Sequence, residues 1–159
     1  MKIYFAGDHA GFELKKELME FVKGLGHDVE DLGPFEPKAG DDYPDYVIPL
    51  AKKVAEATPL NPPSKEGGRE ETRGIVVAGS GQGEIIAMNR VKGARAALFC
   101  PCNLELIRVS RDHNDSNILA IGARFCIREE AQKAIEVWLE TPFSGDERHV
   151  RRLSKIDAL

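Results

Sequence analysis

The chain is short of cysteine, has a single tryptophan and carries no excess of positive charge. Each shortage excludes something. Cys100, Cys102 and Cys126 are an odd number with no framework spacing, which rules out a disulfide scaffold and points to free thiols in a reducing compartment, with the cytoplasm as the default. "CPC" is not C-x-x-C, and no His/Cys set has metal-ligand spacing, so neither a metal nor a redox centre is expected. No apolar run approaches the roughly 18 residues that span a bilayer, and the N-terminal "MKIYFAGDHAG" is too short in its hydrophobic part for a signal peptide. With 22 basic against 26 acidic residues the net charge is −4, giving no general pull toward nucleic acid or an anionic membrane. Any anion site must therefore be built locally.

What the chain does have is alternation. At 159 residues it suffices for one domain around a single core. "KIYFAG" (2–7), "HDVEDLG" (27–33), "GIVVAG" (74–79), "ARAALF" (94–99) and "NILAIG" (117–122) read as strands. Between them run helical periodicities: Leu14, Leu18, Phe21, Val22 and Leu25 before Gly26, then segments near 45–57, 84–91 and 102–112. Ala131, Ala134, Ile135, Trp138 and Leu139 mark a further amphipathic helix, and a basic C-terminal helix is expected at about 145–159. Five strands alternating with helices predict an α/β three-layer sandwich on a five-stranded parallel sheet. The stretch "TPLNPPSKEGGREETR" (58–73) breaks the rhythm with prolines, paired glycines and charges. It exceeds the ~12–15 residues usual for a loop and is expected to be a mobile surface insertion.

In open parallel sheets ligands bind beyond the carboxyl ends of the strands. Three stretches bear on that rule: "GDHAG" after strand 1, "AGSGQGE" after strand 3, and "SRDHNDSN" just before strand 5. The glycines at 79, 81 and 83 match neither the dinucleotide fingerprint nor a Walker loop. A glycine-rich turn opening a helix still aims N–H groups at an anion or oxyanion, although it also serves as a plain tight turn. Glu84 follows it. A carboxylate in a first helical turn gains ~0.3–1 kcal/mol from the helix dipole; partly buried against substrate, it is instead a general base of raised pKa. Asp8 is a helix cap or a site residue. His9 puts a polar ring at a strand's carboxyl end, and His113 and Asn114 sit in a turn-rich loop. In "RHVRR", Arg148 and Arg152 at i, i+4 and His149 and Arg152 at i, i+3 share a helical face, which suits phosphate oxygens or is simply a solvated basic surface.

Taken as a set, "AGDHAGFELK", "DDYPDY", "GSGQGE..AMNRVKGARAAL", "SRDHNDSNILAIGAR" and "TPFSGDERHVRRLSKI" resemble the ribose-5-phosphate isomerase B family, which includes allose- and galactose-6-phosphate isomerases. The resemblance covers nearly the whole chain outside 58–73. It implies a Rossmann-like sandwich of strand order 2-1-3-5-4 and metal-independent, cofactor-free aldose–ketose isomerisation of a small sugar phosphate through a cis-enediolate. It also implies a homodimer with shared active sites, or a tetramer built from such dimers.

Many members have a cysteine base at the end of strand 3. Here that position is Ala78, and Glu84 matches the branch that has a Glu after the glycine loop. The resemblance then implies Glu84 as the proton shuttle between C2 and C1. Ser80 and the loop of Gly79, Gly81, Gln82 and Gly83 would stabilise the enediolate. His113 would open the ring with help from Asp8 and Tyr43, and Asn114 would position hydroxyls. His9, Arg124, Arg148 and Arg152 would bind phosphate, with Arg151 as an extra. Ribose 5-phosphate is the expected substrate and allose 6-phosphate its nearest rival. A non-catalytic phosphate- or nucleotide-binding module is the alternative from another class.

Overall fold

The structure, a computed structural model, describes residues 1–58, 71–101 and 103–159. Five strands, β1 (Lys2–Gly7), β2 (Asp28–Asp31), β3 (Thr72–Ala78), β4 (Ala96–Leu98) and β5 (Ile118–Gly122), form one sheet in the order β2-β1-β3-β5-β4. Every neighbouring pair is parallel. Among the described residues six helices connect or follow them: α1 (Phe12–Gly24), α2 (Pro44–Ala57), α3 (Gln82–Met88), α4 (Leu104–Asp112), α5 (Arg128–Glu140) and α6 (Glu147–Asp157).

The layers follow from the period-2 alternation of the strands. Ile3 and Phe5 of β1, Ile75 and Val77 of β3, and Leu119 and Ile121 of β5 point to one face. There they pack with Leu18 and Val22 of α1, Ile107 of α4, and Ala134, Ile135 and Trp138 of α5. Ala6, Val76, Ile118 and Ala120 point to the other face, against Val47, Leu50, Ala51 and Val54 of α2 and Met88 of α3. All these side chains are buried, so the central strands read as near-continuous apolar runs, as a sheet covered on both faces requires.

Boundaries differ from the sequence reading where polar residues serve the sheet. β3 begins at Thr72, before its apolar run, because Arg73 turns inward. Its guanidinium donates to the carbonyls of Trp138 (2.8 Å) and Leu139 (3.1 Å), tying the start of β3 to the end of α5. Most of the expected insertion, residues 59–70, lies outside the described residues, as does Cys102. Cys100 and Cys126 are free thiols. Among the described residues no helix is long and apolar enough to cross a membrane.

Candidate active site

β1 and β3 run side by side and both end in glycine-rich turns. The turns approach so closely that a Cβ on Gly7 or Gly11 would lie 2.0 Å from the Val77 carbonyl oxygen. Asp8 braces them. One of its carboxylate oxygens accepts the Gly11 N–H (2.8 Å) and the other the Gly79 N–H (3.1 Å). Each oxygen thus holds one backbone N–H, and Asp8 ties the two turns together across the cleft floor.

After Gly79 the chain turns through Ser80 and Gly81, whose φ of +78° is the left-handed conformation that favours glycine, and enters α3 at Gln82. This starts the helix earlier than the apolar pattern suggests and puts Glu84 in its first turn. The N–H groups of Ser80, Gly81 and Gly83 make no hydrogen bond among the described residues. The exposed Ser80 hydroxyl accepts only the Gln82 N–H, at 3.3 Å. Gly83 is held bare by Tyr43, whose hydroxyl would lie 2.5 Å from an added Cβ. Arg124, in the turn after β5, lays its guanidinium against Gly79 and donates its backbone N–H to the Gly79 carbonyl (3.2 Å).

Glu84 is 4% exposed. Burial raises its pKa above the ordinary glutamate value, and the charges of Asp8 and Asp41 push the same way, against a lowering bond from its own backbone N–H. A carboxylate so destabilised as an anion is a stronger base than one in water. His9 completes this cluster. Its Nδ1 lies 2.6 Å from Asp41 Oδ1. The loop that brings Asp41 and Tyr43 here is anchored by buried Lys15, which donates to Asp31 (2.6 Å) and to the Pro34 carbonyl (2.8 Å). Among the described residues no group of three or more His, Cys, Asp or Glu side chains could hold a metal ion.

His113, Asn114, Arg148 and Arg152 are elsewhere. α4 starts beyond the carboxyl end of β4 and runs back along the sheet, so His113 and Asn114 fall at the amino end of β5. The length of β5, ~16 Å of strand, separates the two ends. Within one chain the structure therefore gathers Glu84, Asp8, His9, Tyr43, the 79–83 loop and Arg124, and does not bring His113, Asn114, Arg148 or Arg152 to them. The topological cause is simple: a residue just before a parallel strand lies at the opposite edge from one just after it.

This second cluster is also built, not merely loop. Arg111 donates to the Ser116 carbonyl (2.6 Å) and to Asp115 (2.8 Å), which adopts a positive φ of 45°. Ser116 accepts the Trp138 indole N–H (2.9 Å), and Asn117 donates to the Gly93 carbonyl (2.8 Å). His113 projects from this frame, its ring 4.4 Å from that of His149 on α6. His149 is buried, with Nδ1 2.9 Å from the Ser144 hydroxyl. Desolvation, then facing His113 and neighbouring Arg148, lower its pKa. Arg148, Arg151 and Arg152 are exposed. Asp41 was not singled out from the sequence, and His149, read with Arg152 as part of the shared basic face of "RHVRR", is instead buried while Arg148 and Arg152 are exposed. The only signal for Asp41 was the doubled aspartate of "DDYP".

A parallel three-layer α/β protein whose strand ends carry a dry carboxylate beside loop N–H groups unpaired among the described residues has the equipment of a proton-transfer enzyme acting on a small oxygen-rich substrate. The comparisons with known proteins narrow that class. Residues 3–156 match the Ribose/Galactose Isomerase family, and the chain belongs to it. It is 38% identical over 153 residues to ribose-5-phosphate isomerase B of Mycobacterium leprae, covering 96% of this chain and 86% of that protein. The crystal structure of a ribose 5-phosphate isomerase from Thermotoga maritima superposes with a TM-score of 0.85 at 37% identity, covering 99% of this chain and 98% of that one. Ribose-5-phosphate isomerase B of Mycoplasma genitalium, solved with bound ribulose-5-phosphate, also gives 0.85, at 34% identity, covering 99% and 94%.

Proposed function

We propose that this chain interconverts ribose 5-phosphate and ribulose 5-phosphate, with Glu84 as the base. The observation that carries this is Glu84 itself: a carboxylate 4% exposed, of raised pKa, beside N–H groups that have no hydrogen-bond partner among the described residues. In the open-chain sugar Glu84 removes the proton from C2 and returns it to C1. The oxygens of the enediolate formed between these steps take hydrogen bonds from the 80–83 loop and the Ser80 hydroxyl. Such preorganised donors are worth ~2.7–4 kcal/mol each where measured. Ala78 at the end of β3 has no nucleophilic or basic atom, so no thiol acts from that position. Tyr43, packed on Gly83, borders the reacting carbons, and Asp8 keeps the two turns in register.

Ring opening and phosphate binding need an acid–base group and cations. His113, Asn114, Arg148 and Arg152 supply them, and their position at the far edge of the sheet favours a homodimer in which each site takes these four from the partner subunit. His9 and Arg124 add donors from the same chain as Glu84. The free thiols fit a reducing, cytoplasmic setting. The test is ketose formation from ribose 5-phosphate by wild type and Glu84→Gln. The reading expects turnover by wild type and a fall of about 100-fold or more in the variant. Equal activity removes Glu84 from the mechanism, and activity only on six-carbon sugar phosphates replaces the substrate.

A further inference from the structure

The loop between β2 and α2 brings Asp41 to the Glu84 end of the sheet, yet the mechanism above gives it no task. Its side chain is 2% exposed. Oδ1 lies 2.6 Å from the His9 ring Nδ1 and 3.3 Å from the His9 backbone nitrogen, across 32 residues of chain. Oδ2 is the one fully buried side-chain polar atom without a hydrogen-bond partner among the described residues. Burying a carboxylate with one oxygen unmatched costs stability, so the fold retains Asp41 here at a loss.

An ionised carboxylate only accepts, which assigns the proton to His9 Nδ1. The ring cannot then rotate or change tautomer without giving up that bond. Nε2 has no partner among the described residues, and the imidazole is 35% exposed, so it is the nitrogen a ligand can reach. The same loop also presents Tyr43 to Gly83.

We propose that Asp41 is a positioning residue: its Oδ1 clamps the backbone and ring of His9 together, fixing the proton on Nδ1 and presenting Nε2 to the sugar phosphate. It acts through His9 and does not touch the substrate. The unmatched Oδ2 leaves the negative charge of Asp41 undiluted near Glu84, consistent with the direction in which Glu84 is shifted.

The kinetic arm rests on the isomerase reading; a second arm does not. Ribose 5-phosphate kinetics would compare wild type, Asp41→Asn, His9→Ala and the double variant. Asp41→Asn should raise KM about tenfold while lowering kcat less, and should change KM by less than about twofold once His9 is already alanine. Independent, multiplying effects would overturn the proposal, as would an unchanged KM in Asp41→Asn. The second arm is the 15N spectrum of the histidine side chains. Wild-type His9 should carry its proton on Nδ1, and Asp41→Asn should change that pattern. A wild-type His9 protonated on Nε2 alone overturns the clamp, whether or not the variant folds. Should wild type fail to turn over ribose 5-phosphate, the functional reading falls and the spectrum alone decides the clamp.

Discussion

At the carboxyl end of the sheet the acids Asp8, Asp41 and Glu84 gather, the side chains of Asp41 and Glu84 nearly out of water. At the amino end stand His113, His149, Arg148 and Arg152, of which His149 alone is buried. The difference matches two tasks with opposite demands. Taking a proton from carbon needs a base raised by desolvation, in a place where charge is expensive. Gripping a phosphate needs cations that remain ionised and reachable from solvent. One pocket in a monomer would have to be dry and open together. In the proposed homodimer, splitting the groups between two edges would let each be built under its own conditions and be joined when two chains meet.

The sharpest way to break this contrast is at Glu84. Glu84→Gln keeps the shape and removes the base, and should cost about 100-fold or more in kcat with little change in KM. Arg152→Ala should act on the other task. Losing a charge-assisted phosphate bond is worth ~1.5–3 kcal/mol, so KM for the sugar phosphate should rise about 10- to 100-fold with kcat less affected. An unchanged KM counts against the amino-end cluster as the phosphate grip. Asp8→Asn sharpens the carboxyl end. An amide can accept at only one of the two positions where Asp8 now accepts, so the Gly11 or Gly79 N–H loses its partner. A melting-temperature drop and a loss of kcat should appear together; a kcat loss without any change in melting would assign Asp8 to the chemistry instead.

The smallest effect is the most diagnostic of environment. The native state holds the Glu84 proton more tightly than the unfolded chain does. Stability therefore falls as pH rises from the ordinary glutamate value of 4.5 through the raised native value. Glu84→Gln should consequently melt higher than wild type at neutral pH, with the gain vanishing in acid, while its activity is lost. The wild-type acid limb of kcat against pH should sit above 4.5 for the same reason. A variant that is inactive and also less stable at neutral pH would mean Glu84 is not destabilised by burial.

Much of the architecture was legible because local pattern and global fold agree. "GIVVAG" and "NILAIG" are apolar on both faces and became the central strands, with "KIYFAG" beside them; the order of the strands is the one the family resemblance implies, not one the local pattern encodes. Arg73 escaped the pattern because its burial depends on two carbonyls at the far end of α5. In the site, three glycines leading into a helix drew attention to Glu84, but the pattern alone left it between a helix-end charge and a base, and its part as proton shuttle is what the family resemblance implies. His113 and Asn114 stood out in the turn-rich stretch before strand 5, and their edge follows from that position, since a residue just before a parallel strand lies opposite one just after it. Asp41 was missed because its meaning lies in one contact across 32 residues, and nothing in "DDYP" tells which aspartate turns inward. His149 was read as part of a basic face, and nothing in "RHVRR" shows that it turns inward while the arginines face solvent.

The split site itself can be tested by co-expressing Glu84→Gln with His113→Ala under two affinity tags and purifying the mixed dimer. Each variant alone has every site damaged. If sites combine Glu84 of one chain with His113 of the other, the mixed dimer holds one intact site and one doubly damaged site. The account predicts recovery of about half the wild-type turnover of ribose 5-phosphate. A mixed dimer as inactive as its parents, or no mixed dimer at all, would contradict it.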